Sequence, residues 1–203
     1  MINLTFNLRN MKKGFIKAIL KAEQTVFTFK DLLLMWDGID VNTAKKRVSY
    51  YVRSGNLYSL RRGIYVKDKK YDRFELATKI FTPAYISFET ILGNVGITFQ
   101  YYSQIFVACY QTKEIIVDRQ KFVFRTLKDS ILTNSAGIEN KGNYALASSE
   151  RAFLDVIYLS KDYHFDNLSS INWEKVDEIL PVYGENKRMR VRVNKYHKSV
   201  EEQ

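Results

Sequence analysis

The sequence predicts a mixed α/β (α+β) chain built as two modules. The first is a compact helical module closed by a short hairpin; the second is an α/β domain with a mostly antiparallel sheet. Two observations carry that prediction. Charge is segregated: residues 1–70 hold fifteen Lys/Arg against five Asp/Glu, and residues 71–203 hold seventeen of each, so the whole net charge of +10 sits in the first third. Hydrophobic spacing also changes along the chain, from helical stripes in the first module to alternating and continuous apolar runs in the second. At 203 residues, 46% of them hydrophobic, the chain has material for one large or two small cores. The expected division is 1–70 and 71–203.

The first module reads as helix, helix, helix, hairpin. From Lys13 to Lys21, Phe15, Ile16, Ile19 and Leu20 form one helical stripe. Thr28 opens a second helix, with Asp31 three residues on in a variant of the capping box, and Asp37-Gly38 ends it. A third helix is expected from about Asn42 to just before Gly55, a residue suited to a left-handed C-terminal cap. Ala44, Val48, Tyr51 and Val52 share its apolar face. Asn42, Lys46, Ser49, Tyr50 and Arg53 lie opposite, flanked by Thr43, Lys45 and Arg47. That outer face carries hydroxyls, donors and cations without one acid, where a solvated helix ordinarily mixes signs. Two alternating segments then flank Arg61-Arg62-Gly63, the pattern of a hairpin with arginines at its tip.

Three helices and such a hairpin spell a winged helix-turn-helix. That fold lays its last helix in the major groove and its wing along the backbone or minor groove. Asn42, Thr43 and Lys46 are placed for base edges, and Lys45, Arg47, Arg53, Arg61 and Arg62 for phosphates. Double-stranded DNA is the expected partner.

In the second module, helices are expected over Asp72–Phe81, Phe88–Leu92, a segment capped by Ser148, and Ile171–Leu180. Strands are expected at Tyr85–Ser87, Ile105–Tyr110, Glu114–Asp118, Lys121–Leu127 and Tyr144–Leu146. In the Ser148-capped helix, Ala152, Phe153, Val156, Ile157 and Leu159 form the buried stripe, and Arg151 and Asp155 make an ordinary i,i+4 pair worth about 0.2–0.5 kcal/mol. Cys109 is the single cysteine, so neither an internal disulfide nor a multi-cysteine zinc site is available, and it reads as a buried strand residue. His164 and His197 have no partner at metal-ligand spacing and read as surface residues. Gly93 and Gly96 are not followed by the Lys-Ser/Thr of a phosphate loop. Glu114 and Asp118 share a strand face but stand too far apart for a tight acid pair. No catalytic residue, metal or cofactor is expected. An enzyme acting on nucleic acid would need Glu89, Glu114, Asp118 or Asp155 to assemble into a metal or acid cluster. A winged-helix protein-interaction adaptor is the other alternative.

Gly55-Asn56-Leu57-Tyr58-Ser59-Leu60-Arg61-Arg62-Gly63-Ile64-Tyr65-Val66 looks like the wing of the AbiEi family of antitoxins. Tyr85-Ile86-Ser87-Phe88-Glu89-Thr90-Ile91-Leu92 is similar to the segment that follows it. Ala147-Ser148-Ser149-Glu150-Arg151-Ala152-Phe153-Leu154-Asp155 resembles a third segment, with Ser149 in place of the family's proline and Phe153 in place of a leucine. Order and spacing hold across residues 12–180. The resemblance implies a bacterial type IV antitoxin that represses its own operon at inverted repeats in the promoter. It also implies a second domain that opposes a nucleotidyltransferase-like toxin, directly or indirectly.

The last stretch is basic: Lys187, Arg188, Arg190, Arg192, Lys195 and Lys198, interrupted by Met189, Val191 and Val193. It reads equally as a second DNA contact or as a terminal helix or strand with a solvated basic side. No apolar run approaches the length of a bilayer span, and Met1–Arg9 lacks the apolar core of a secretory leader. A cytoplasmic location without membrane partners is expected.

Overall fold

The computed structural model describes residues 14–184 and 186–202. The chain divides into two compact units, Met1–Ile80 and Phe81–Gln203. Within the first, residues 14–21 form α1, followed by β1 (Val26–Thr28), α2 (Phe29–Met35), α3 (Val41–Arg53), β2 (Tyr58–Arg61), β3 (Ile64–Val66) and α4 (Arg73–Ile80). The three strands form an antiparallel sheet in the order β1-β3-β2.

Local chemistry explains these elements. Thr28 accepts from the Asp31 amide at 3.1 Å and the Asp31 carboxylate accepts from the Thr28 amide at 2.8 Å, so the expected capping box is complete. Lys79 closes on the same carboxylate at 2.7 Å. Burial pushes the Asp31 pKa up, but Lys79 and Thr28 together pull it further down, below the ordinary value. The stripes of α1, α2 and α3 meet in one core of Ile19, Phe27, Leu32, Trp36, Ala44, Val48, Tyr51 and Leu57. Trp36 keeps its indole N–H satisfied by donating to the Phe15 carbonyl at 3.2 Å.

Two features of this unit differ from the sequence expectation. β1 is a three-residue strand that no alternation announces; it exists because β3 offers Val26, Phe27 and Thr28 a partner. Helix 73–80, expected to open the second module, belongs to the first unit. Glu75 on α4 is fully buried, and its Oε2 accepts from the Thr25 amide at 2.8 Å and the Thr25 hydroxyl at 2.6 Å. The boundary therefore falls at residue 80 rather than 70.

The second unit holds β4 (Ala84–Ile86), α5 (Glu89–Asn94), β5 (Ile105–Cys109), β6 (Lys113–Val117), β7 (Gln120–Thr126), α6 (Asp129–Leu132), β8 (Ile138–Asn140), β9 (Ala145–Ala147), α7 (Ser149–Leu159), α8 (Trp173–Ile179), a 3-10 turn (Leu180–Tyr183) and α9 (Lys187–Glu201). Its six strands are ordered β6-β7-β5-β4-β9-β8. β4–β5, β6–β7 and β8–β9 pair antiparallel, and β4–β9 and β5–β7 pair parallel, giving a mixed, mostly antiparallel sheet. Every residue of β5 is buried, Cys109 included, as its continuous apolar run requires.

Three local expectations are corrected here. Asp118 is not a strand residue: with Arg119 it forms the left-handed turn between β6 and β7, at φ of 47° and 64°, so it does not share a strand face with Glu114. Leu159, expected in the buried stripe of α7, is 43% exposed at the helix's last turn. Arg151 and Asp155 are not a solvated pair, because both are completely buried.

Candidate nucleic-acid interface

α3 begins at Asp40, whose carboxylate accepts from the Thr43 amide at 2.9 Å. Hydrogen bonding by Thr43 holds the Asp40 carboxyl below its ordinary pKa. The helix ends where Gly55 takes φ of 73°, a left-handed conformation that side chains other than glycine rarely adopt. Ala44, Val48 and Tyr51 are buried, and this anchors the opposite face outward. Asn42, Thr43, Lys45, Lys46, Ser49, Tyr50 and Arg53 are all exposed. Arg47 behaves differently. It is half-buried, with its guanidinium carbon 4.3 Å from the centre of the Phe15 ring on α1, and its Nε is buried with no hydrogen-bond partner among the described residues.

The hairpin stands beside this helix. Arg61 closes β2 opposite Ile64, and a register shift between Ser59 and Arg61 marks a bulge at the tip. Arg61 and Arg62 are both exposed. The Gly63 carbonyl accepts from the Phe29 amide at 2.9 Å, which ties the hairpin tip to the start of α2. Lys67 donates to the Ala22 carbonyl at the other end of the hairpin. These two hydrogen bonds tie the hairpin to the start of α2 and to the segment after α1.

Two hollows flank α3. One, of about 540 Å³, lies between α1 and α3 and is lined by Thr43, Lys46, Arg47 and Tyr50 from the helix, Ile16 from α1, and Asn56. The other, of about 280 Å³, lies on the hairpin side and includes Lys45, Ser49, Arg53, Ser59 and Tyr65. Ile16, Asn56 and Tyr65 were not singled out from sequence as site residues. Their involvement depends on how α1 and the hairpin pack against α3, and no periodicity reports that.

The basic C-terminal stretch is a helix. Met189 and Val193 on α9 are buried, and Tyr196 packs its ring against Phe153 and Phe165. Arg192 is tied down, with Nη1 donating to the Ser160 carbonyl at 2.5 Å. Lys187, Arg188, Arg190, Lys195 and Lys198 are exposed, as is Val191 among them. His197 stacks on Trp173 with ring centres 4.3 Å apart.

The four carboxylates that an acid or metal cluster would need occupy separate settings. Glu89 pairs with Arg125 at 2.9 Å, and Glu114 with Lys121 at 2.8 Å. Asp118 sits in its turn. Asp155 lies in the core of the second unit, where it accepts from Tyr183 at 2.6 Å, Ser87 at 2.7 Å and Tyr85 at 3.0 Å, with Arg151 Nε 3.4 Å away. Arg151 donates in turn to Tyr85 and to the carbonyls of Ile131 and Ala136. Burial pushes the Asp155 carboxyl up against the pull of Arg151 and the three hydroxyls, and raises the Tyr85 and Tyr183 phenols further from ionisation. Among the described residues, no group of three or more His, Cys, Asp or Glu is placed to hold a metal ion. Among them, too, no helix is long and apolar enough to cross a membrane.

No family model matches the chain, and no curated protein matches it either. Among solved structures, the crystal structure of the RV2827C protein from Mycobacterium tuberculosis aligns over 92% of this chain and 81% of that one, at 12% sequence identity and a TM-score of 0.43, a level of likeness that says nothing of what either chain binds.

Proposed function

We propose that the chain is a sequence-specific double-stranded DNA-binding protein whose first unit acts as a winged helix-turn-helix. The observation that carries this reading is the outer face of α3: exposed, rich in cations and hydroxyls, and without an acid along all thirteen residues of the helix. In this reading α3 enters the major groove. Asn42, Thr43 and Lys46 reach base edges, while Lys45, Arg53, Arg61 and Arg62 contact phosphates. The exposed cations of α9 offer a second phosphate contact. The resemblance to AbiEi-type antitoxins extends the reading to a cytoplasmic autorepressor that opposes a nucleotidyltransferase-like toxin and performs no catalytic step of its own.

The test is a gel-shift titration of the full chain on the DNA upstream of its own gene, against scrambled DNA, at two salt concentrations. Tight, sequence-dependent and salt-sensitive retardation is the expected result. Weak retardation equal on both DNAs would overturn the reading and leave the first unit as a docking module.

A further inference from the structure

We infer that the groove between α1 and α3 binds a free mononucleotide, and that its occupancy excludes DNA from α3. Thr43, Lys46, Arg47 and Tyr50 recur at i, i+3, i+4 and i+7, so they form one stripe about 10 Å long at 1.5 Å per residue. The stripe faces α1 across a groove of about 540 Å³, well inside the size range of small-ligand sites.

The lining selects the ligand class. Its floor is apolar, from Ile16 and Tyr51. Lys46 and Arg47 bring two cations, and the described lining residues include no acid, so an anion is favoured. Arg47 is held over the Phe15 ring, and its buried Nε has no partner among the described residues, so this cation is positioned before any ligand arrives. Tyr50 is 59% exposed on the wall and offers a flat ring for stacking. Asn56 donates one N–H to Ser54 Oγ at 2.7 Å, which leaves its carbonyl oxygen to accept from a base edge. A planar ring with a polar edge and an attached phosphate satisfies all of these groups together.

Thr43, Lys46 and Tyr50 also lie on the face assigned above to DNA, so the two ligands compete for the same side chains. The competition rests on that DNA reading, whereas binding of the nucleotide does not.

The experiment is calorimetric titration of the full chain with AMP, GMP, CMP and UMP in turn, with inorganic phosphate as the comparison. Gel shifts on the upstream DNA follow, with and without the nucleotide that binds. At least one nucleotide should saturate with a Kd below about 1 mM, while phosphate alone should not. Tyr50→Ala should weaken that binding on the order of tenfold. Asn56→Ala should weaken it as well, and added nucleotide should reduce retardation of the parent protein. Absence of nucleotide binding in a preparation that retards DNA would overturn the inference, as would equal binding of phosphate alone. Retardation unchanged by a saturating nucleotide would overturn the competition. Nucleotide binding without DNA retardation would support the site and overturn the DNA reading instead.

Discussion

α3 and α7 are written in similar language and do opposite things with their charges. Both start at a polar cap, Asp40 and Ser148, whose side chain accepts from the amide three residues on. Both bury an apolar stripe. The outer face of α3 is open, so Lys45, Lys46 and Arg53 remain in water and are available to a polyanion, while Arg47 alone turns onto Phe15. α7 is enclosed on most of its circumference, and eight of its eleven residues are buried. Its Arg151 and Asp155 therefore had to find partners inside the protein, and they found them on and just after β4, in α6 and the loop after it, and in the 3-10 turn. An i,i+4 pair read from sequence as a minor contribution is completely buried in the second unit and hydrogen-bonded on several sides. Spacing decides which residues can meet; the surrounding layers decide what the meeting is worth.

The sharpest way to break this comparison is to remove one partner of the buried pair. Arg151→Ala leaves Asp155 enclosed without its counter-charge, and should cost about 3–5 kcal/mol of stability. A shift of the urea midpoint corresponding to less than about 1 kcal/mol would return the pair to the minor role of an exposed helix pair. Gly137→Ala probes the same packing independently. Gly137 has φ of 70°, and a Cβ there would lie 2.8 Å from Arg151 Cβ and 2.7 Å from Ile179 Cδ1, so thermal unfolding should move down clearly.

The corresponding changes on α3 and the hairpin should leave the fold alone and act on DNA. Lys46→Ala and Arg62→Ala should each change stability by less than about 0.5 kcal/mol. Arg62→Ala should lower the slope of log affinity against log salt by about one unit on the upstream DNA, and Lys46→Ala should relax the preference at the base it reads. Parent-like binding in both variants would mean that these cations, although exposed, do not face DNA.

Smaller effects are expected where capping rather than enclosure fixes a charge. Thr28→Ala removes half of the capping box on α2 and should cost about 1 kcal/mol, read from the denaturant midpoint. The Asp31 carboxyl has its pKa lowered in the folded state, so its contribution is fully present above the unfolded value of 3.8 and is lost as pH falls through the lower, folded value. Acid unfolding of Asp31→Asn should therefore be less steep than that of the parent below about pH 4. Identical acid transitions would show that Lys79 and Thr28 do not hold this carboxylate in solution.

Much of the first unit was legible in the sequence because its signals are local. The Thr28–Asp31 capping box, the three apolar stripes, the left-handed Gly55 and the hairpin around Gly63 depend on residues within a few positions of each other, and the structure shows each of them. The outer face of α3 was readable for the same reason: once the buried positions Ala44, Val48 and Tyr51 are known, the helical repeat assigns the rest. What the sequence by itself determined, then, is most of the first unit's elements and the exposed cationic face. Only the tertiary structure decided the relations between distant segments. Three residues at β1 become a strand because β3 supplies their hydrogen bonds, and α4 joins the first unit because Thr25 satisfies a carboxylate fifty residues away. Arg47 turns from the outer face onto Phe15 because α1 brings an aromatic ring within reach. Arg151 and Asp155 become the core because the strand and turns around α7 exclude water from them. Hydrogen-bond partners and dielectric environment are properties of what packs nearby in space, and short-range sequence patterns carry no record of that.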